Sequence, residues 1–228
     1  MSNPDHQSPI NPLPPVVVAL FLVIIGIEVI FTLGARGIIG GQEAIGWRLA
    51  ALQKYAFVGE IFDWMLIEGQ WPFEHVMRTA TYLFVHGNFT HAAFASVLLL
   101  ALGKMVGEVF SALATLTVFL LSGMFGAVIF ALILDSPAPL IGAYPGVYGL
   151  LGAFTFLLWT RLGQLGENQA RAFTLIGFLV GIQLLFGLIF GGNASWVADV
   201  AGFACGFLMS FFLVPGGWAR IRSYMRRD

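Results

Sequence analysis

Ionisable side chains are scarce in the apolar stretches of this chain, and the few that occur there are Glu28, His86, His91 and Asp199. A charged group in the hydrocarbon layer costs roughly 2.5–3.5 kcal/mol at mid-helix on insertion scales, so each asks for a partner or a task. Two histidines and an acid suggest a metal ion. His86 and His91, however, are five residues apart, which on one helix places them on different faces, unlike the i, i+4 pair of a His-Glu-x-x-His site. No metal and no cofactor is expected. Cys205, the one cysteine, excludes an intrachain disulfide and a cysteine-based zinc site, and between Ala204 and Gly206 it reads as packing. Asp199 implies a polar neighbour. Glu28 either pairs within the bundle or meets a partner protein.

The elements that must position these residues are membrane spans. Of 228 residues, 58% are hydrophobic and 10% charged, against roughly 25% charged in a soluble domain. Runs of roughly 20 apolar residues suit helices crossing a bilayer, and the alternating ten-residue segments of a barrel are absent. Spans are expected at 15–34, 79–103, 106–134, 144–159, 172–190 and 195–214. Between the first two, a long segment mixes Glu43, Arg48, Lys54, Glu60, Asp63, Glu68 and Glu74 with Trp47, Trp64 and Trp71. That mixture suits amphipathic structure at the membrane interface. The chain divides into an N-terminal segment 1–12, a membrane domain 13–216 and a basic tail 217–228.

The net charge of −1 argues against a nucleic-acid partner, since no basic stripe exists to neutralise phosphates. Lys104, Arg161, Arg171 and the tail residues Arg220, Arg222, Arg226 and Arg227 fall on one side of the expected spans, while the links around Asp135 and Asn193 hold neither Lys nor Arg. Both termini are therefore expected in the cytoplasm, with the chain in the inner membrane if it is bacterial. The arginine tail is also suited to anionic lipid. Residues 1–12 contain no Lys or Arg, so the first span is expected to be retained rather than cleaved as a signal peptide.

Three stretches resemble the rhomboid intramembrane serine proteases. MRTATYLFVHGNFTHAAFASVLLLALGKMVGE, from Met77 to Glu108, is similar to the family's first-loop-to-second-span signature, with Arg78, Thr81, His86, His91 and Gly103 in place. IGAYPGVYGLLGA, from Ile141 to Ala153, resembles its fourth-span motif Gly-x-Ser-Gly-x-x-Tyr-x-x-x-Gly, matching at Gly142, Tyr148 and Gly152. ADVAGFACGF, from Ala198 to Phe207, resembles the sixth-span motif His-x-x-Gly-x-x-x-Gly at Gly202 and Gly206. The resemblance implies an all-α six-transmembrane-helix rhomboid-like bundle with a long interfacial first loop.

The departures fall on the chemistry. Where the family has its nucleophilic Ser this chain has Tyr144, followed by Pro145 in place of Gly; the base His is replaced by Asp199, the oxyanion-binding Asn by Ala95, and the Trp before Arg78 by Met77. His91 alone remains of the catalytic constellation. Tyr and Asp have reference pKa values near 10 and 3.9, about six units apart, a poor nucleophile–base pair. Loss of an oxyanion donor costs roughly two to three decades in rate in serine proteases. Pro145, lacking an N–H, reads as a helix starter. Gly202 and Gly206 have the spacing of small residues that let helices approach. The resemblance supplies Tyr144 and His91 as polar neighbours of Asp199, with Tyr144 and Asp199 expected within hydrogen-bond reach or one water apart. Ser96 and Ser122 have no histidine at a plausible register.

The expected function is that of a rhomboid-like pseudoprotease that binds transmembrane segments of client proteins in assembly, trafficking or quality control. Likeness to the derlins and inactive rhomboids implies that role. Partners are then membrane proteins and lipids. The alternatives are a rhomboid intramembrane serine endopeptidase with a non-standard active site, and a channel or proton-linked transporter using Glu28, Asp199 and the histidines. No inverted repeat or pair of broken helices supports the last.

Overall fold

The computed structural model describes residues 12–190 and 194–215. The first eleven residues, Asn193 and the tail arginines Arg220, Arg222, Arg226 and Arg227, on which part of the expected topology rests, lie outside the described residues. The helices are α1 (Pro15–Ala35), α2 (Trp47–Tyr55), α3 (Gly59–Glu68), α4 (Phe73–Val76), α5 (Arg78–Thr81), α6 (Phe89–Gly107), α7 (Ala112–Ile133), α8 (Tyr144–Gln164), α9 (Thr174–Phe190) and α10 (Trp196–Leu213). Among the described residues, α1, α6, α7 and α10 are long and apolar enough to cross a membrane. Helix α8 has 21 residues and α9 has 17.

Four of the expected boundaries move. The second long helix begins at Phe89 rather than near Thr79, because Asn88 accepts the His91 N–H at 2.9 Å and caps it, the preferred use of asparagine at a helix start. Residues 79–88 instead form the end of α5, a 3-10 turn and the loop carrying His86. Helix α6 then continues to Gly107, and Ser111 caps α7 through the Ala114 N–H at 3.2 Å, so α7 begins at Ala112 and not near Val106. Helix α8 opens with Pro145 in its first turn and runs to Gln164, past the expected end near Trp159.

Helix α8 is the centre of the bundle. From Pro145 to Phe156 nearly every residue is buried, packed by α6, α7 and α10. The α8–α10 seam is a contact between backbones: a Cβ on Gly202 would run into the Pro145 carbonyl, one on Gly206 into the Gly149 carbonyl, and one on Gly152 into the Phe203 carbonyl. Small residues at four-residue spacing are what permit such an approach.

A second constraint ties the segment after α1 to the bundle. Glu28, 1% exposed, is gripped by both ends of the Arg48 fork, with Nη1 donating to Oε2 at 2.8 Å and Nη2 to Oε1 at 2.6 Å. Thr32 Oγ1 donates to the same carboxylate at 3.2 Å. The Arg48 Nη1 also donates to the His86 carbonyl at 2.8 Å. Of the two expectations for Glu28, pairing within the fold is what the structure has. A bidentate, charge-assisted pair of this kind fixes geometry as well as charge. Opposite it, Phe57 and Leu140 exchange backbone hydrogen bonds at 3.1 and 2.8 Å, joining the same segment to the loop before α8.

Two outcomes are expected for the detergent-solubilised protein, read by equilibrium unfolding. Gly206→Ala lowers stability by roughly 1–3 kcal/mol, since the added methyl meets backbone that cannot rotate away; unchanged stability would show a seam looser than described. Arg48→Met strands the Glu28 carboxylate and costs roughly 3–5 kcal/mol, whereas Arg48→Met combined with Glu28→Met recovers much of that loss.

Candidate functional site

The site is assembled where the His86 loop, the starts of α6 and α8 and the start of α10 meet. Gly142, one residue before the turn into α8, has φ +92°, a conformation that side chains of ordinary chirality rarely adopt. Its N–H donates to the Tyr82 carbonyl at 2.9 Å. A Cβ at Gly142 would lie 2.7 Å from both Cε1 and Nε2 of His91, so glycine here makes room for the histidine ring. The next amide, Ala143 N–H, donates to His86 Nε2 at 3.2 Å. His86 is 1% exposed. Burial, seconded by the neighbouring His91, pushes its pKa down to about 3, against the pull of a hydrogen bond to the Phe84 backbone. It is a neutral acceptor that pins the loop before α8.

The expected separation of His86 and His91 on different helix faces does not hold. His86 is not on the helix at all, and its loop folds back so that the two rings meet edge to face at 5.0 Å and 75°. His91 in turn stacks on Tyr144, with centroids 5.3 Å apart and planes 16° from parallel. His91, Tyr144 and Asp199 line one cavity of about 380 Å³ together with Pro145, Gln183 and Ser195.

The carboxylate of Asp199 has a direct partner that the sequence reading did not name. Its partner is Gln183 on α9, whose Nε2 donates to Oδ2 at 2.8 Å, and among the described residues the Tyr144 hydroxyl makes no hydrogen bond to it. A primary amide satisfies a buried carboxylate at close range, and the parallel stack turns the Tyr144 ring to His91. Gln183 Oε1 is buried without a partner among the described residues. Gln183 escaped the reading of the sequence although the signal was there: a lone amide in an apolar helix asks for a partner as a charge does.

The remaining motif residues stand outside the cavity. Ala95 is fully buried on α6, one turn beyond His91, and a methyl there donates no hydrogen bond. Tyr148 is buried one turn beyond Tyr144. Gly152, Gly202 and Gly206 belong to the seam, and Arg78 lies on α5, its buried Nε unpartnered among the described residues. Ser96 and Ser122 are buried and do not line the cavity. Among the described residues no three of His, Cys, Asp and Glu gather as ligands for a metal ion.

A family model described as the Rhomboid domain matches residues 74–216. The chain is 29% identical over 145 residues to "RHOMBOID-like protein 4" of Arabidopsis thaliana, covering 61% of this chain and 35% of that protein. It is 28% identical over 142 residues to "RHOMBOID-like protein 7" of the same plant, covering 61% of this chain and 43% of that protein. The chain thus spans less than half the length of either relative.

The polar contact is tested by a double-mutant cycle on the solubilised protein. Gln183→Ala and Asp199→Ala are expected to couple by about 0.6 kcal/mol and at most about 1.7, the range of interhelical hydrogen bonds in a membrane protein. The cycle of Tyr144→Phe with Asp199→Asn is expected to give zero within error. A reversed ranking of the two cycles would put the Asp199 partner on α8 instead of α9.

Proposed function

The chain belongs to the rhomboid family, and from that premise we propose that it is a pseudoprotease that binds transmembrane segments of other membrane proteins. One arrangement carries this assignment. The positions that hold the family's nucleophile and base are Tyr144 and Asp199, and these two are not hydrogen-bonded to each other. Nucleophilic catalysis needs a nucleophile within hydrogen-bond reach of its base. Here the base position is engaged by an amide, and His91 lies flat against the Tyr144 ring instead of presenting a nitrogen to its hydroxyl. At Ala95 no side-chain donor is available for a developing oxyanion.

Binding is favoured by what the site keeps. The cavity of about 380 Å³ has polar and apolar walls, with His91, Tyr144, Gln183 and Asp199 beside Leu140 and Ile141. On this reading α1, α6, α7, α8, α9 and α10 are six spans, and residues 13–216 form one membrane domain flanked by cytoplasmic segments 1–12 and 217–228. The helices α2 to α5 then rest at the interface, where Trp64 and Trp71 are exposed as interfacial anchors. Lys104, Arg161 and Arg171 share the cytoplasmic side with both termini, in the inner membrane if the cell is bacterial.

No cleavage of a model transmembrane substrate is expected in liposomes, and no labelling by a fluorophosphonate, which marks an activated serine. A photo-crosslinking residue at position 144 is expected to capture transmembrane segments in native membranes. Labelling or cleavage that disappears on Ser195→Ala or Ser96→Ala would establish the serine endopeptidase instead.

A further inference from the structure

Away from the cavity, a groove of about 450 Å³ runs between α1 and α2. Helix α1 contributes Val23, Ile27, Ile30 and Phe31, and α2 contributes Ala51 and Tyr55. The spacing i, i+4, i+7, i+8 makes the α1 wall one continuous stripe, adjacent to the stripe on which Glu28 faces inward. From Val23 to Phe31 the helix rises roughly 12 Å, close to the depth of one leaflet of a hydrocarbon core roughly 30 Å thick. Two of the three aromatic rings in the lining, Phe31 and Tyr55, carry a cation. The Arg48 guanidinium stands 5.4 Å from the Phe31 centroid, and the Lys54 ammonium 5.4 Å from that of Tyr55.

The two cations differ in what they have left to give. Arg48 is committed to Glu28, whereas Lys54 is exposed and has no acidic partner among the described residues, whose ion pairs are Arg48–Glu28 and Arg171–Glu167. An apolar slot one leaflet deep with one uncompensated positive charge on its rim is complementary to an apolar chain with a negative head.

We propose that the α1–α2 groove is a binding site for one anionic phospholipid, with an acyl chain along Val23, Ile27 and Ile30 and the phosphate on Lys54. A lipid so placed fills the space between α1 and α2 beside the Glu28–Arg48 pair and keeps water from it. The site is independent of whether the cavity at His91 hydrolyses, binds or does neither.

The test uses the full-length protein in vesicles of equal phosphatidylglycerol and phosphatidylcholine, extracted in mild detergent and read by native mass spectrometry. One retained lipid is expected, with phosphatidylglycerol preferred about fivefold, the effect of one lysine beside an anionic head. Lys54→Gln is expected to bring the two lipids to parity. Ala51→Trp from one wall and, separately, Ile27→Trp from the other are expected to abolish retention. Lys104→Gln, on a different helix, leaves both readings unchanged. Retention that survives both tryptophan variants, or a preference that survives Lys54→Gln, overturns the proposal. So does a crosslinker at position 51 that captures another protein's helix in place of lipid.

Discussion

The closeness of α8 and α10 is the constraint from which the rest of the site follows. Where Gly202, Gly206 and Gly152 meet carbonyls of the opposing helix, there is no side-chain layer to adjust, so the axial register of the two helices is fixed by backbone shape. Packed interiors resist even small additions of volume. Tyr144 and Asp199 sit at the same end of these two helices and line one cavity. Their proximity is a consequence of the seam, and it survives whatever residues occupy the two positions.

The seam fixes two of the walls, and the segment after α1 fixes the third. Arg48 reaches from α2 to a carboxylate inside α1 and, with the same nitrogen, to the carbonyl of His86. His86 accepts from the amide leading into α8, and Tyr82 accepts from Gly142 one residue earlier. A chain of hydrogen bonds therefore runs from the first long helix to the start of α8 through groups that do not enter the cavity. A carboxylate in an apolar helix is costly alone, and here that cost is met by a bidentate partner and a hydroxyl.

Much of this was legible in the sequence because membrane burial leaves strong marks. Long apolar runs gave α1 and α10 to within a few residues, and the spacing of Gly202 and Gly206 pointed to a close helix contact. What escaped depends on partners distant in the chain. Nothing local to Arg48 marks it, among the charged residues of its segment, as the one that returns to Glu28. Apolarity likewise ran straight through residues 79–88, and only the cap at Asn88 shows that the helix starts after them. The resemblance placed Asp199 beside Tyr144, since catalysis would need them joined. It carried no information about Gln183, because a family's catalytic motif does not describe what a replaced residue bonds to instead.

That last difference bears on how a rhomboid-like fold can be kept without its chemistry. Helix α9 packs sparsely on its neighbours. Among the described residues, Gln183 to Asp199 is its one side-chain hydrogen bond to another helix. On the proposed reading, the position that served a base now serves as an attachment point for α9. A histidine competent as a base must leave one nitrogen free for the nucleophile's proton, whereas a carboxylate bound to an amide is already engaged. On that reading, the residue in the base position makes an interhelical contact, and Tyr144 in the nucleophile position stacks on His91. Because the glycines of the seam and the Arg48 side chain do not line the cavity, exchanges at Tyr144 and Asp199 alter what the cavity offers to a segment entering it more than they alter the scaffold.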